Sequence, residues 1–481
     1  MEQKRPEASF TDTTTTTQAA AHNGEFSWLT DQQETRCIPV AGDNVRVITK
    51  PAEFYQELIR GVRESRERVS LSSLYLGTGD KEQELVSEIE SALRRNPTAE
   101  VDVLLDYCRG SRGEVNSRTM LLPLLADRED GSDEERVRVS FYHTPMLRGV
   151  WKRVLPERIN EIVGLQHIKA YVFDSRVIIS GANLSGDYFT QRQDRYFVFD
   201  DAPELADYFQ QLIGAVASFS FRLRRDGDVR LAAGCPECPV SGDFERFAAF
   251  ARSKIEPIIY PQQQQHGGGD AVTSSDTLVY PSVQIGCLGL QQDERFTSAM
   301  LREFRRGHKV AFTSGYFNIT EQYAEAVAAS EADFDIVIAS PEANGFLGSR
   351  GISGYIPFVY IRLTELFRGL LASKDRLDAV RLLEYSRPEW TYHAKGLWCH
   401  GERAAMTVVG SSNFGYRSVA RDVEAQVTVV TTNAALKERL SNEQRNITNW
   451  SKLITPETFQ QVRYRKPRFV SVISGLIRHF F

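Results

Sequence analysis

One triplet occurs twice in this chain, as His167-Ile168-Lys169 and His393-Ala394-Lys395, 226 residues apart. Each copy lies on an apolar, strand-like run. Each is followed by a Gly/Ser-rich turn that ends in Asn, Ser180-Gly181-Ala182-Asn183 in the first case and Gly410-Ser411-Ser412-Asn413 in the second. Side chains at i and i+2 of a strand share a face, so each His points the same way as its Lys. Repetition of the order as well as the residues predicts two halves made by duplication that face each other across one site.

The chemistry such a set can perform is attack on a phosphodiester. The phosphodiester is anionic and repels nucleophiles unless cations surround it. A neutral imidazole can attack phosphorus, and a second, protonated imidazole on the far side can protonate the leaving oxygen. Lys169 and Lys395 supply fixed charge, and Asn183 and Asn413 supply amides for the phosphate oxygens. No metal or cofactor is required for this chemistry, and a divalent cation enters only as a potential activator. A carboxylate lies eleven residues beyond each Asn, Asp194 in the first half and Glu424 in the second. The equal offsets assign Asp194 to orient His167 and Glu424 to orient His393.

Around these motifs the chain alternates strands and helices. Helices are predicted over 51–66, 82–95, 202–222, 293–306 and 321–329 from apolar spacing. Strands are predicted over 69–76, 101–107, 137–142, 167–173, 177–180, 195–199, 309–314, 334–339, 393–399, 406–409 and 423–430. The expected fold class is α/β, two sandwich halves facing each other across one active site. The organisation is a disordered segment 1–44, a first half 45–256 and a flexible Gln/Gly-rich linker 257–281. A second half 282–455 and a basic, amphipathic C-terminal segment 456–481 complete it. A net charge of −5 argues against a nucleic-acid-coating protein. The N-terminal 25 residues carry more acids than bases and so do not read as a transit peptide. Cys235 and Cys238 form a lone C-x-x-C, read as reduced thiols, and Asp127–Glu135 reads as a solvated acidic loop.

The first motif, His167, Lys169 and Asp174 followed by Asn183, resembles the H-x-K-x(4)-D signature of the phospholipase D superfamily. The second departs from it, with His400 at the Asp position. Flanking words narrow the resemblance: Ser73-Leu74-Tyr75-Leu76-Gly77-Thr78-Gly79, Arg192-Gln193-Asp194-Arg195-Tyr196, Tyr392-His393-Ala394-Lys395-Gly396-Leu397-Trp398 and Asn413-Phe414-Gly415-Tyr416-Arg417-Ser418. These are similar to the mitochondrial phosphatidylglycerophosphate synthase subgroup, from about Val45 to the C-terminus. The resemblance implies transfer of a phosphatidyl group from CDP-diacylglycerol to glycerol 3-phosphate through a phosphatidyl-histidine, with His167 as nucleophile and His393 as acid and then base. It also implies a mitochondrial location, at the matrix face of the inner membrane, and peripheral contact with an anionic bilayer. No nucleic acid is expected, and the oligomeric state is open.

The acceptor's own phosphate calls for further cations. Arg109, Arg112 and Arg118 follow a predicted strand, where α/β sheets bind ligands, and Gly77-Thr78-Gly79 could cradle a phosphate with its amides. The C-terminal rhythm of Phe469, Val472, Ile473, Leu476, Ile477 and Phe480 suits either a bilayer surface or the protein's own core. His143 reads as a buried structural imidazole. Two other functions stay open from sequence: a hydrolase or nuclease with the same site, and a catalytically inert lipid-binding scaffold.

Overall fold

The computed structural model describes residues 25–29, 34–125, 136–149, 163–260, 275–349 and 354–465, with Pro467 and Val470. Two large sheets carry the two halves. The first runs, in spatial order, Val229–Leu231, Phe221–Leu223, Val137–Tyr142, Glu100–Asp106, Arg68–Ser72, Ala170–Phe173, Arg176–Ser180, Tyr196–Phe199 and Val45–Ile48. The second runs Ile38–Val40, Thr277–Ile285, Val423–Thr431, Ala405–Gly410, Lys395–His400, Lys309–Ser314, Asp333–Ala339, Val380–Tyr385 and Ser451–Leu453, with Leu290–Gln291 paired to Thr277–Ile285 off this path. The two orders superimpose. Three parallel strands in each half, Arg68–Ser72, Glu100–Asp106 and Val137–Tyr142 against Lys309–Ser314, Asp333–Ala339 and Val380–Tyr385, abut the antiparallel strand that follows the His-Lys pair. The duplication predicted from two triplets therefore extends through the whole fold.

Local chemistry explains the elements. Pro51–Glu64 begins with Pro in its first turn and buries Phe54, Tyr55, Leu58, Ile59 and Val62, the three-and-four spacing of a one-faced helix. The strands beside the triplets are apolar on both faces because helices cover one side and the facing half covers the other. One apolar cluster joins the halves, with Ile168, Val172 and Phe197 of the first meeting Trp398, Val409 and Val427 of the second. The halves share a core as well as a site.

Several boundaries differ from the sequence reading. Ile38–Val40 extends the sheet of the second half by pairing with Thr277–Ile285. The Glu25 carboxylate accepts hydrogen bonds from the amides of Glu402, Arg403 and Ala404. The stretch assigned to a disordered segment 1–44 is thus partly structural, and residues 1–24 and 30–33 lie outside the described residues. The linker is shorter than 257–281, since the helix Phe244–Ile259 enters it and Thr277–Ile285 leaves it; residues 261–274 lie outside the description, as does the acidic run. The helix Ile356–Ser373 had no sequence signal because its apolar residues lie on nearly every side, including the exposed Leu366. In the C-terminal segment, Arg463 pairs with Glu342 at 3.1 Å and with Glu384, and Tyr464 also bonds Glu384. Val470 is buried against Val359 and Leu363. Those residues pack on the protein itself, and most of the amphipathic stretch lies outside the description.

Candidate active site

The two triplets meet at the seam of the halves. His167 and Lys169 precede the strand Ala170–Phe173, and His393 precedes Lys395–His400. Short parallel pairings cross the seam. Gln166 bridges Val423, and Thr391-Tyr392 pairs with Arg192-Gln193. His167 N donates to Val423 O at 2.9 Å, and His393 N donates to Gln193 O at 2.8 Å. Each His thus follows a residue paired with the residue before an acid of the other half, so each imidazole faces the opposite half's carboxylate.

That geometry overturns the assignment made from equal offsets. His167 Nδ1 lies 2.9 and 3.0 Å from the Glu424 carboxylate oxygens, and His393 Nδ1 lies 2.7 Å from Asp194 Oδ2. Sequence distance pointed each acid at its own half. Each acid instead extends its side chain across the seam, Glu424 from within the strand Val423–Thr431 of its own sheet. Both carboxylates are fully buried, and a carboxylate can only accept, so each imidazole carries its hydrogen on Nδ1 and directs Nε2 into the cleft. Ser418 Oγ donates to Glu424 Oε1 at 2.7 Å, and the Arg195 amide donates to Asp194 Oδ1 at 2.8 Å.

Arg195 fixes Asp194 to the second half. Its guanidinium forms a two-pronged pair with Glu443 at 2.9 and 2.8 Å, donates to Thr407 Oγ1 at 2.7 Å and to Val408 O at 2.5 Å, and lies 3.8 Å from the centroid of the Trp398 ring. Trp398 Nε1 donates to the same Glu443 at 2.8 Å. Gly396, at φ 128°, makes room for this arm, because a Cβ there would collide with Val408 O and the Arg195 guanidinium. At Gly181 a Cβ would stand 2.5 Å from Asp194 Oδ1 and 3.0 Å from Lys395 Cδ. The Gly of the turn is what lets the carboxylate and the ammonium approach.

Burial dominates the electrostatics. It holds both imidazoles well below their ordinary pKa, with Lys169 next in effect on His167 and Lys395 next on His393. Burial likewise lowers Lys169 strongly and Lys395 to about 8, and pushes Asp194 up to about 6. Lys395 Nζ donates to His393 O at 2.6 Å and crowds His393 Nδ1 at 2.7 Å; Lys169 Nζ donates to His167 O at 2.8 Å. A bound phosphate would oppose the depressions that neighbouring cations cause. His167, Asp422 and Glu424 bring three potential ligand atoms within 4.8 Å of one another and are the group among the described residues that could hold a cation. Glu424 there already serves His167 and Ser418.

A cleft of about 370 Å³ opens over these residues. Asn183 and Asn413 line it, each with a buried side-chain oxygen that has no hydrogen-bond partner among the described residues. Arg109, over the Tyr75 ring at 4.0 Å, and Arg112 reach it as expected. Arg118 does not. It is stacked on Tyr107 and Phe141, beneath the loop. Gly77-Thr78-Gly79 is no phosphate cradle, because the buried Glu82 carboxylate fills the turn and accepts from Gly186 N at 2.7 Å. Asp174, counted with the catalytic set, is removed from it. Four strand residues separate it from Lys169, roughly 17 Å of extended chain, and its carboxylate accepts from the amides of Arg66, Glu67 and Arg68 at 2.8 to 2.9 Å. His400, in the equivalent place, bonds Gln444 at 2.7 Å. His143 is buried and bonds Thr144 O, as expected.

The sequence reading missed Tyr188, Arg192, Tyr316, Arg417 and Asp422, all of which line the cleft. A signal existed. Counting from each Asn, position four is Asp187 or Arg417, position five Tyr188 or Ser418, and position nine Arg192 or Asp422. Positions four and nine form an ion pair in both halves, Asp187–Arg192 at 3.1 Å and Arg417–Asp422 at 3.0 Å, with the signs exchanged.

Two interlocked α/β halves, with paired His-Lys sets at their seam, make a phospholipase D-like fold. A bacterial neighbour agrees: the phosphatidylserine synthase of Haemophilus influenzae superimposes with a TM-score of 0.72 at 18% identity, covering 97% of this chain and 100% of that one. Among curated proteins, the human CDP-diacylglycerol–glycerol-3-phosphate 3-phosphatidyltransferase, named mitochondrial, is 42% identical over 92% of this chain and 84% of its own length. The Gallus gallus enzyme is 40% identical over the same shares, and the Saccharomyces cerevisiae enzyme 34% identical over 88% and 85%. No family model matches the chain. The chain belongs to the CDP-diacylglycerol–glycerol-3-phosphate 3-phosphatidyltransferase family.

Proposed function

We propose that this protein transfers the phosphatidyl group of CDP-diacylglycerol to glycerol 3-phosphate, releasing CMP and forming phosphatidylglycerophosphate, the committed precursor of phosphatidylglycerol and cardiolipin. The crossed His–acid pairs carry this reading, since they leave two Nε2 atoms aimed into one cleft. In the first step His167 Nε2 attacks the phosphorus that bears the lipid, the P–O bond to CMP breaks, and His393 gives its Nε2 proton to the departing oxygen. In the second, the acceptor hydroxyl attacks the same phosphorus, its proton passes to His393 Nε2, and the P–N bond to His167 breaks. Lys169, Lys395, Asn183 and Asn413 hold the phosphate oxygens in both steps. The pyrophosphate of the donor offsets Lys395 and Arg192, two of the cations that depress His393, and so favours its acid form on binding.

The site requires no cofactor in this scheme. Relatives named mitochondrial support a mitochondrial location; the matrix face of the inner membrane is our proposal within it, since a lipid donor must be reached from a bilayer surface. No helix among the described residues is long and apolar enough to cross a membrane. The test is incubation with CDP-diacylglycerol in mixed micelles, with and without glycerol 3-phosphate. Acceptor-dependent CMP release with phosphatidylglycerophosphate as product is expected. CMP and phosphatidic acid at equal rates without acceptor would establish a hydrolase instead.

A further inference from the structure

The two histidines do not share one environment. His393 Nε2 lies 3.3 Å both from Lys395 Nζ and from the Tyr188 hydroxyl, which also accepts from Asn183 Nδ2 at 3.0 Å. A hydroxyl has one hydrogen to give, so Tyr188 accepts from the amide and donates to His393. It occupies the space between an imidazole and a phosphate-binding Asn where the leaving or entering oxygen must sit. Ser418, at the equivalent place, turns away and donates to Glu424. Among the described residues, nothing is hydrogen-bonded to His167 Nε2.

The exchanged ion pair sharpens this difference. Asp422 stands beside His167, within the same three-ligand group. Arg192 stands on the other side, its guanidinium 4.6 Å from the centroid of the Tyr188 ring and its charge among those that depress His393. Arg192 Nε donates to Thr391 Oγ1 at 3.0 Å, and the side chain is only 15% exposed. The cationic member of one pair thus stands nearer His393 and the anionic member of the other nearer His167, so a dianion is better accommodated on the His393 side. CMP leaves, and glycerol 3-phosphate enters, opposite the nucleophile. Both carry a phosphate dianion.

We infer that Tyr188 and Arg192 form an acceptor-operated gate: the acceptor's phosphate binds Arg192, draws it from the Tyr188 ring, and frees the hydroxyl from His393. This inference rests on the phosphatidyl-transfer reading of the site. Once CMP has taken its proton, His393 Nε2 holds a lone pair that the Tyr188 hydroxyl caps. Water brings no phosphate, leaves the cap in place and finds no base. Glycerol 3-phosphate lifts the cap, its hydroxyl gives its proton to Nε2, the new P–O bond forms and the P–N bond to His167 breaks. A nucleotide-side subsite is thereby used twice, first by the departing CMP phosphate and then by the acceptor's.

Partition of the phosphatidyl group between water and acceptor tests this. In Tyr188→Phe, which keeps the ring under Arg192 and removes the hydroxyl that caps His393 and accepts from Asn183, the ratio of phosphatidic acid to phosphatidylglycerophosphate should rise at least tenfold over the unaltered protein. Arg192→Gln should raise KM at least tenfold for both glycerol 3-phosphate and CDP-diacylglycerol, since the phosphates of both use this subsite. On the unaltered protein, inorganic phosphite should accelerate transfer to glycerol, which lacks the phosphate, because the acceptor is then supplied in two pieces. An unchanged partition in Tyr188→Phe overturns the gate, and so does phosphite that only inhibits; the latter needs no variant to fold. If the unaltered protein makes no phosphatidylglycerophosphate, the transfer reading itself fails, a result distinct from either.

Discussion

Replacing Glu424 with Gln is the most informative single change. The Glu424 carboxylate is fully buried and accepts from His167 Nδ1 and Ser418 Oγ. As an amide, its oxygen keeps the Ser418 hydrogen bond and its NH2 faces His167 Nδ1, at the 2.9 Å now spanned by an N–H···O contact. Nδ1 must then accept, the ring hydrogen moves to Nε2, and the atom that attacks phosphorus loses its lone pair. Trapping an imidazole in the wrong tautomer while its shape is preserved costs about 10³ to 10⁴ in rate, or about 4 to 5.5 kcal/mol. Asp194→Asn should do the same to His393. The assay is rapid mixing with CDP-diacylglycerol labelled at the lipid phosphorus, without acceptor, and an alkaline quench that preserves phosphohistidine. Glu424→Gln should fail to label, as His167→Ala does. Asp194→Asn should still label, though more slowly because His393 is also the acid of the first step, and should discharge slowly to glycerol 3-phosphate, as His393→Ala does. If Glu424→Gln instead reproduces His393→Ala, the acids serve their own halves and the crossed geometry is refuted.

Three further outcomes follow from the same structure. Truncating Arg195 to Met leaves the Glu443 carboxylate buried without its guanidinium, and should cost about 3 to 5 kcal/mol in urea unfolding; a loss under 1 kcal/mol would show that the seam is held elsewhere. Lys395, at about 8 in the empty protein, is neutral above that pH and must take up a proton to meet the anionic donor. Binding therefore weakens as pH rises, so KM for CDP-diacylglycerol should be flat from pH 6.5 to 7.5 and climb toward about tenfold per unit above pH 8. A flat profile to pH 9.5 excludes Lys395 as the titrating group. Asp174→Asn should lower the melting temperature, since Asp174 ties down three amides, yet leave kcat within about threefold; a hundredfold loss in kcat would return it to the site.

The sequence was most legible where the chemistry forced a residue type. His167, Lys169, His393, Lys395 and both Asn are where the motifs put them, and strands such as Val137–Tyr142 and Lys309–Ser314 match to the residue because a short run rich in β-branched and aromatic residues is a local signal. What failed were statements of partnership. The Asn-to-acid spacing of eleven is real, yet spacing along a chain does not say which half a carboxylate leans toward. That is decided by backbone pairing of Gln166 with Val423 and of Tyr392 with Gln193 across the seam. Arg118 and Gly77-Thr78-Gly79 failed for a similar reason. A loop after a strand is a good place for a phosphate, but an aromatic ring and a neighbouring carboxylate had already claimed those groups. Tyr188 and Arg192 could have been found by aligning the two halves on their Asn residues and asking where they disagree.

The crossing of the acids also bears on how such a chain can change over generations. In a duplicated protein whose copies each kept their own machinery, one copy would be free to decay. Here each copy lends its carboxylate to the other's histidine, so a lesion in either disables a function seated in its sibling. The copies are bound into one heritable unit. Divergence is left to those pairs whose balance survives inversion, and Asp187–Arg192 against Arg417–Asp422 is such a pair. A duplicated fold thus acquired a nucleophile side and a phosphate-receiving side by trading two charges.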